Sequence, residues 1–86
     1  MKKNWDEIAW NDYLYWQKHD RAKVKRINEL LKAIERDPFK GIGEPEPLKH
    51  NLRGWWSRQI DLEHRLVYRI TENTQIDILR CRKHYE

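Results

Sequence analysis

Apolar residues recur at helical spacing in the first half of the chain and at alternating spacing in the second. After Asp6, a side chain suited to capping a helix start, Ala9, Tyr13 and Trp16 share one face and predict a helix to about His19. "HDRA" interrupts it, and Asp20 can cap a second helix that runs to about Arg36. There Val24, Ile27, Leu31 and Ile34 recur at steps of three and four, with Leu30 widening the stripe. Both stripes are predicted core; Trp10 and Tyr15 lie off them and are expected to cover the sheet edge or face a partner. A short extended piece at residues 3–5 precedes the helices. "DPFKGIGEPEP", with three Pro and two Gly, reads as an irregular connector.

From about Leu52 the period changes to two. Trp56, Arg58 and Ile60 alternate with Trp55, Ser57 and Gln59, and His64, Leu66, Tyr68 and Ile70 alternate with Arg65, Val67 and Arg69. "TENT" is a turn, and residues 75–83 form a last strand. Short connections make these three strands an antiparallel meander. The expected fold is α+β: one domain over residues 1–86, with two N-terminal helices packed on one face of a small antiparallel sheet. Leu66, Tyr68 and Ile70 are the natural helix-facing residues. Arg65, Val67 and Arg69 are left on a shallow, basic open face. Trp55 and Trp56, adjacent in an extended strand, must point to opposite faces, and the pattern does not say which is core.

Composition narrows the class. A domain of 86 residues buries only about 60–65% of its unfolded surface, and five Trp and four Tyr compensate with large apolar area. No apolar run approaches the roughly 20 residues needed to span a bilayer, and the charged N-terminus is unlike a signal peptide. The single cysteine, Cys81, excludes an intrachain disulfide and fits a reducing compartment, so a cytoplasmic location is expected. The net charge of +4 is uneven: residues 1–47 hold 10 Lys+Arg against 9 Asp+Glu, and residues 48–86 hold 8 against 5, mostly arginine. That bias favours a polyanion, since a guanidinium matches phosphate oxygens in pairs; a solvated basic surface accounts for it equally.

Three ionisable groups from separate segments are candidates to converge on the open face. Glu46 sits between Pro45 and Pro47, Arg65 in a strand, and His84 just beyond the last strand. Carboxylate, guanidinium and imidazole suffice for metal-free RNA cleavage: a base takes the ribose 2′-OH proton, a cation stabilises the phosphorane-like charge, and an acid protonates the leaving 5′-oxygen. Taken singly, each has a duller reading as a solvated loop acid, a surface strand arginine or a tail histidine. "CRKH" supplies one Cys-x-x-His pair and no second, so a zinc site is not expected. Cys81 is expected to pack as a small apolar residue.

Longer motifs sharpen this reading. "DYLYWQ", "KRINELLK", "PEPLKHNLRGWWSR", "EHRLVYRI" and the terminal "CRKHY" resemble the YoeB-type (Txe/YoeB) mRNA interferase toxins of the RelE superfamily, over essentially the whole chain. The resemblance implies a microbial-RNase-like (RelE-like) fold with its active site on the open sheet face, and no cofactor. It implies Glu46 as general base, Arg65 as phosphate-stabilising cation and His84 as general acid. Lys49, Arg58, Glu63 and Tyr85 match positions that support the site, and Arg69 adds to the RNA-binding surface. The implied substrate is mRNA in the A site of the bacterial ribosome. The implied partner is a YefM-like antitoxin, with operon DNA bound only together with it, and toxins of this type also form homodimers. Two positions depart from the pattern: Gln59 in "WSRQI" replaces a common arginine, and Glu44 a common lysine. Two other classes compete with the enzyme: a non-catalytic RNA- or ribosome-binding module using Arg58, Arg65 and Arg69 with stacking tryptophans, and an antitoxin-partnered operon co-repressor.

Overall fold

The computed structural model describes residues 1–72 and 74–83. Helix α1, Glu7–His19, starts where the Asp6 side chain accepts the Ile8 N–H at 3.1 Å. Helix α2, Arg21–Arg36, starts where Asp20 accepts from Ala22. Asp20 serves both helices, because its own N–H closes α1 on the Trp16 carbonyl at 2.8 Å. One residue therefore satisfies orphan groups at two helix ends, and this makes the turn tight.

The sheet has five strands in the order β1-β5-β4-β3-β2: β1 Lys2–Trp5, β2 Glu46–Pro47, β3 Trp56–Gln59, β4 Arg65–Thr71 and β5 Gln75–Arg80. The β3-β4-β5 meander is antiparallel as expected. The sheet as a whole is mixed, because the extended N-terminal piece joins the edge of β5 in parallel. At the other edge Glu46 and Pro47 pair with Ser57 and Trp56. Both outer strands resist further pairing, one by its lysines and the other by its brevity and its proline.

Ala9 and Trp16 of α1, the Ile27-Leu30-Leu31-Ile34 stripe of α2, and Ile60, Leu66, Tyr68, Ile76, Ile78 and Cys81 form the core between helices and sheet. Ile70 and Trp56 pack against its margin. Trp56 is thus the helix-facing tryptophan, in contact with Phe39. Trp55 lies on the open side beneath the Arg69 guanidinium, 4.4 Å from the ring centroid.

Candidate active site

Strand register builds the open face. Glu46 pairs with Ser57, Ser57 with Val67, and Val67 with Arg80, a row across four strands. Ser57 and Val67 are buried, so the floor of this face is recessed rather than shallow. One two-residue step along β3 and β4, Gln59 pairs with Arg65. Glu46 and Arg65 therefore share the face, two strands apart, with Cα atoms roughly 12 Å from each other by ordinary strand spacing and rise. Long side chains and a ribose-phosphate linkage fit such a span.

Each side chain is delivered by local structure. Glu46 is exposed in a backbone fixed by flanking prolines. The chain then turns through Lys49 into the short 3₁₀ turn His50–Leu52, and residues 46–52 line a cleft of about 600 Å³ beside Glu46. Lys49 is exposed on its rim. Arg65 Nη1 donates to the carbonyls of Asp61 at 2.9 Å, His64 at 3.3 Å and Leu62 at 3.4 Å, which ties its guanidinium to the β3–β4 turn. That turn is stiff: the Asp61 carboxylate accepts the N–H groups of Glu63 and His64 and pairs with Lys23 of α2 at 3.1 Å. Burial alone would push the Asp61 carboxyl up, but these partners together hold it below its ordinary value, and the same bond pushes the Lys23 ammonium up. Glu63 is exposed, its carboxylate 3.7 Å from His64 Nε2.

Arg69 is on the open face, as its alternation requires, but engaged: its Nε donates to Asp77 at 3.0 Å. Burial pushes the Asp77 carboxyl up, and bonds from Gln75, Arg69 and Asn4 more than offset this, leaving it lowered. Arg58 was expected to support the site or to bind RNA phosphate, and its burial removes the second of these. Its register beside Leu66 puts it on the helix side, fully buried, out of reach of any RNA. Nη2 donates to the carbonyls of Asp37 and Lys40, Nη1 to that of Ile42, and Nε to the Tyr68 hydroxyl. Its support is structural, because it gathers the connector that leads to Glu46. His84 and Tyr85 lie outside the described residues.

Two side chains of the site were not among the sequence candidates. His50 lines the cleft with Glu46 at a φ of 56°, unusual for a non-glycine residue; its imidazole within "PEPLKHNL" was the available signal. Arg80 is the second. Strict alternation from Gln75 assigns it to the helices, but a bulge opposite Val67/Tyr68 shifts the register and aligns it with Val67. Arg80 Nε is buried without a hydrogen-bond partner among the described residues.

Two helices on one face of a five-stranded sheet, with a recessed, arginine-bearing opposite face, are the RelE-like toxin fold. A family model described as the YoeB-like toxin of bacterial type II toxin–antitoxin systems matches residues 5–85. Toxin YoeB of Escherichia coli K12 is 58% identical over 85 residues, spanning 99% of this chain and all of its own. The Staphylococcus aureus YoeB dimer superposes with a TM-score of 0.92 at 46% identity, over 99% of this chain and 98% of that one. The heterotetrameric YoeB–YefM complex from the same species gives 0.91 at 48%, with the same coverage. The chain belongs to the YoeB-like toxin family of type II toxin–antitoxin systems.

Proposed function

We propose that the chain is a ribosome-dependent mRNA endoribonuclease that inhibits translation by cutting mRNA in the ribosomal A site. Glu46 takes the proton of a ribose 2′-OH, which attacks its own 3′-phosphate. Arg65 neutralises the charge gathering on phosphorus, and His84 protonates the departing 5′-oxygen. The products are a 2′,3′-cyclic phosphate and a 5′-OH. Family membership supports this reading, and the observation that carries it is the shared face of Glu46 and Arg65. At the Arg65 end of that face the Lys83 carbonyl accepts the Arg65 N–H at 3.0 Å, one residue before His84.

A carboxylate is an intrinsically weak base for a hydroxyl, so the protein's sparse site requires a substrate already held in line. Positioning of this kind contributes several kcal/mol, and the ribosome would supply it. The partner in the resting state is a YefM-like antitoxin, as in the S. aureus complex, and the location is the cytoplasm with the ribosome. No described helix is long and apolar enough to cross a membrane.

The test is primer-extension mapping on programmed ribosomes, with wild type, His84→Ala, and a matched mRNA carrying a 2′-deoxy at the mapped site. Wild-type cleavage, lost on the deoxy substrate and reduced by about 100-fold or more in His84→Ala, is expected from removal of a general acid. Ribosome binding without cleavage by the wild type would instead make the chain a binding module.

A further inference from the structure

Beyond Arg80 the chain leaves the sheet, and a terminal segment without partners ordinarily frays. Here the backbone polar groups of Cys81 and Lys83 are all engaged. The Cys81 N–H donates to Asp12 Oδ2 at 3.0 Å, and its carbonyl accepts from Trp16 Nε1 at 2.9 Å. The Arg82 guanidinium lies 3.8 Å from the centroid of the Tyr15 ring. The Lys83 N–H donates to His64 Nδ1 at 2.7 Å, and the Lys83 carbonyl accepts from Arg65 N–H. Asp12, Tyr15 and Trp16 of α1 and His64 of the β3–β4 turn thus grip one three-residue segment.

We infer that His64 is a positioning residue for cleavage: with Asp12 and Trp16 it forms a clasp that fixes residues 81–83 and so aims the group carried by the next residue. The inference rests on the reading of His84 as general acid. Two features of His64 exceed what packing alone needs. Accepting from a backbone N–H uses a lone pair on Nδ1, which an apolar ring of the same size does not have. The ring also meets Trp16 edge-on, 4.8 Å between centroids at 78°, while the Trp16 indole N–H holds the same segment two residues earlier. Each ring orients the other, and both bond the strand-to-tail turn. The His64 backbone is fixed in turn by the Asp61 carboxylate. A clasp built on adjacent residues also links the two proposed groups, since His64 and Arg65 bind the N–H and the carbonyl of the same Lys83.

Two substitutions separate aiming from packing. His64→Phe keeps a ring against Trp16 and deletes the acceptor; His64→Asn loses the ring but offers Oδ1 near the position of Nδ1. Single-turnover cleavage on programmed ribosomes, titrated to saturation, is compared for both with wild type and His84→Ala, and thermal unfolding is recorded for each. His64→Phe is expected to lower the saturated rate about 10- to 100-fold, the scale of a small misplacement of a catalytic group, with unchanged half-saturation; His64→Asn is expected to recover most of that loss. The opposite order, Phe active and Asn impaired in step with its stability, overturns the clasp and leaves a packing role. Wild-type rates in both His64 variants with an inactive His84→Ala overturn it too, while the acid assignment stands. A fully active His84→Ala overturns the acid assignment and the clasp together.

Discussion

At the scale of single residues, Arg58 is a charge placed inside the core. It is fully buried and meets three backbone carbonyls and a phenol. Tyr68 completes the arrangement by donating to the Pro38 carbonyl at 2.6 Å, and burial pushes its phenol up. Removing a buried charge's hydrogen bonds strands every partner, so Arg58→Lys, which keeps the charge but loses the fork, is expected to cost about 3 kcal/mol or more in denaturant unfolding. A loss under about 1 kcal/mol would mean the carbonyls find water instead. Alternation gives Arg58 the same parity as Trp56 and Ile60, but the pattern alone does not say which face that parity takes. Its burial was not legible either, because a guanidinium enters a core only when the folded connector brings carbonyls to meet it. Cys81 followed its expectation: its thiol is buried against the Ala9 carbonyl, and burial, with Asp12 adding to it, pushes its pKa well up.

At the scale of elements, the connector and the bulge decide the site. Gly43 has a φ of 85°, and a Cβ there would lie 2.8 Å from Leu30 Cδ2 and 3.0 Å from Arg58 Cβ. Gly43→Ala therefore meets both a left-handed backbone and a steric clash, and should destabilise by about 1–3 kcal/mol. Its thermal midpoint reads this directly, and an unchanged midpoint would show that the connector is not held by these contacts. The helices were readable almost to the residue, because their caps and stripes are local signals. The bulge that turns Arg80 to the open face has no such signal; it is fixed only when β4 and β5 pair. The parallel seat of β1 is likewise a contact between opposite ends of the chain, and no short-range pattern announces it.

At the scale of the whole molecule, carboxylates pull stability in two directions with pH. Asp61, Asp77 and Glu35 have lowered pKa values: burial opposes the shift in the two aspartates, while the N-terminus and Lys3 hold Glu35 down. Their contribution is complete above ordinary values of 3.8 for Asp and 4.5 for Glu, and disappears as pH falls through the lower folded values. Asp12 runs the other way, because burial pushes its carboxyl up despite the Cys81 N–H and the cations Arg82, Arg80 and Lys83. Its contribution is largest below 3.8 and is lost as pH rises through its raised folded value. Asp12→Asn keeps an acceptor for Cys81 and removes the buried charge. It should raise the unfolding midpoint at pH 7 and lose that advantage near pH 3; a midpoint lowered at pH 7 would show that the ionised carboxylate is needed to hold the tail.

The sequence by itself determined the two helices, the meander, the direction of Arg65 and Arg69, and the family, because periodicity, caps and motifs are properties of neighbouring residues. Only the tertiary structure decided that Arg58 is interior, that Trp55 rather than Trp56 lies on the open face, that Arg80 joins that face, and that His64 grips the chain just before His84. Each of these depends on which residue of a distant strand stands opposite, and that is set by register and burial once the core has closed.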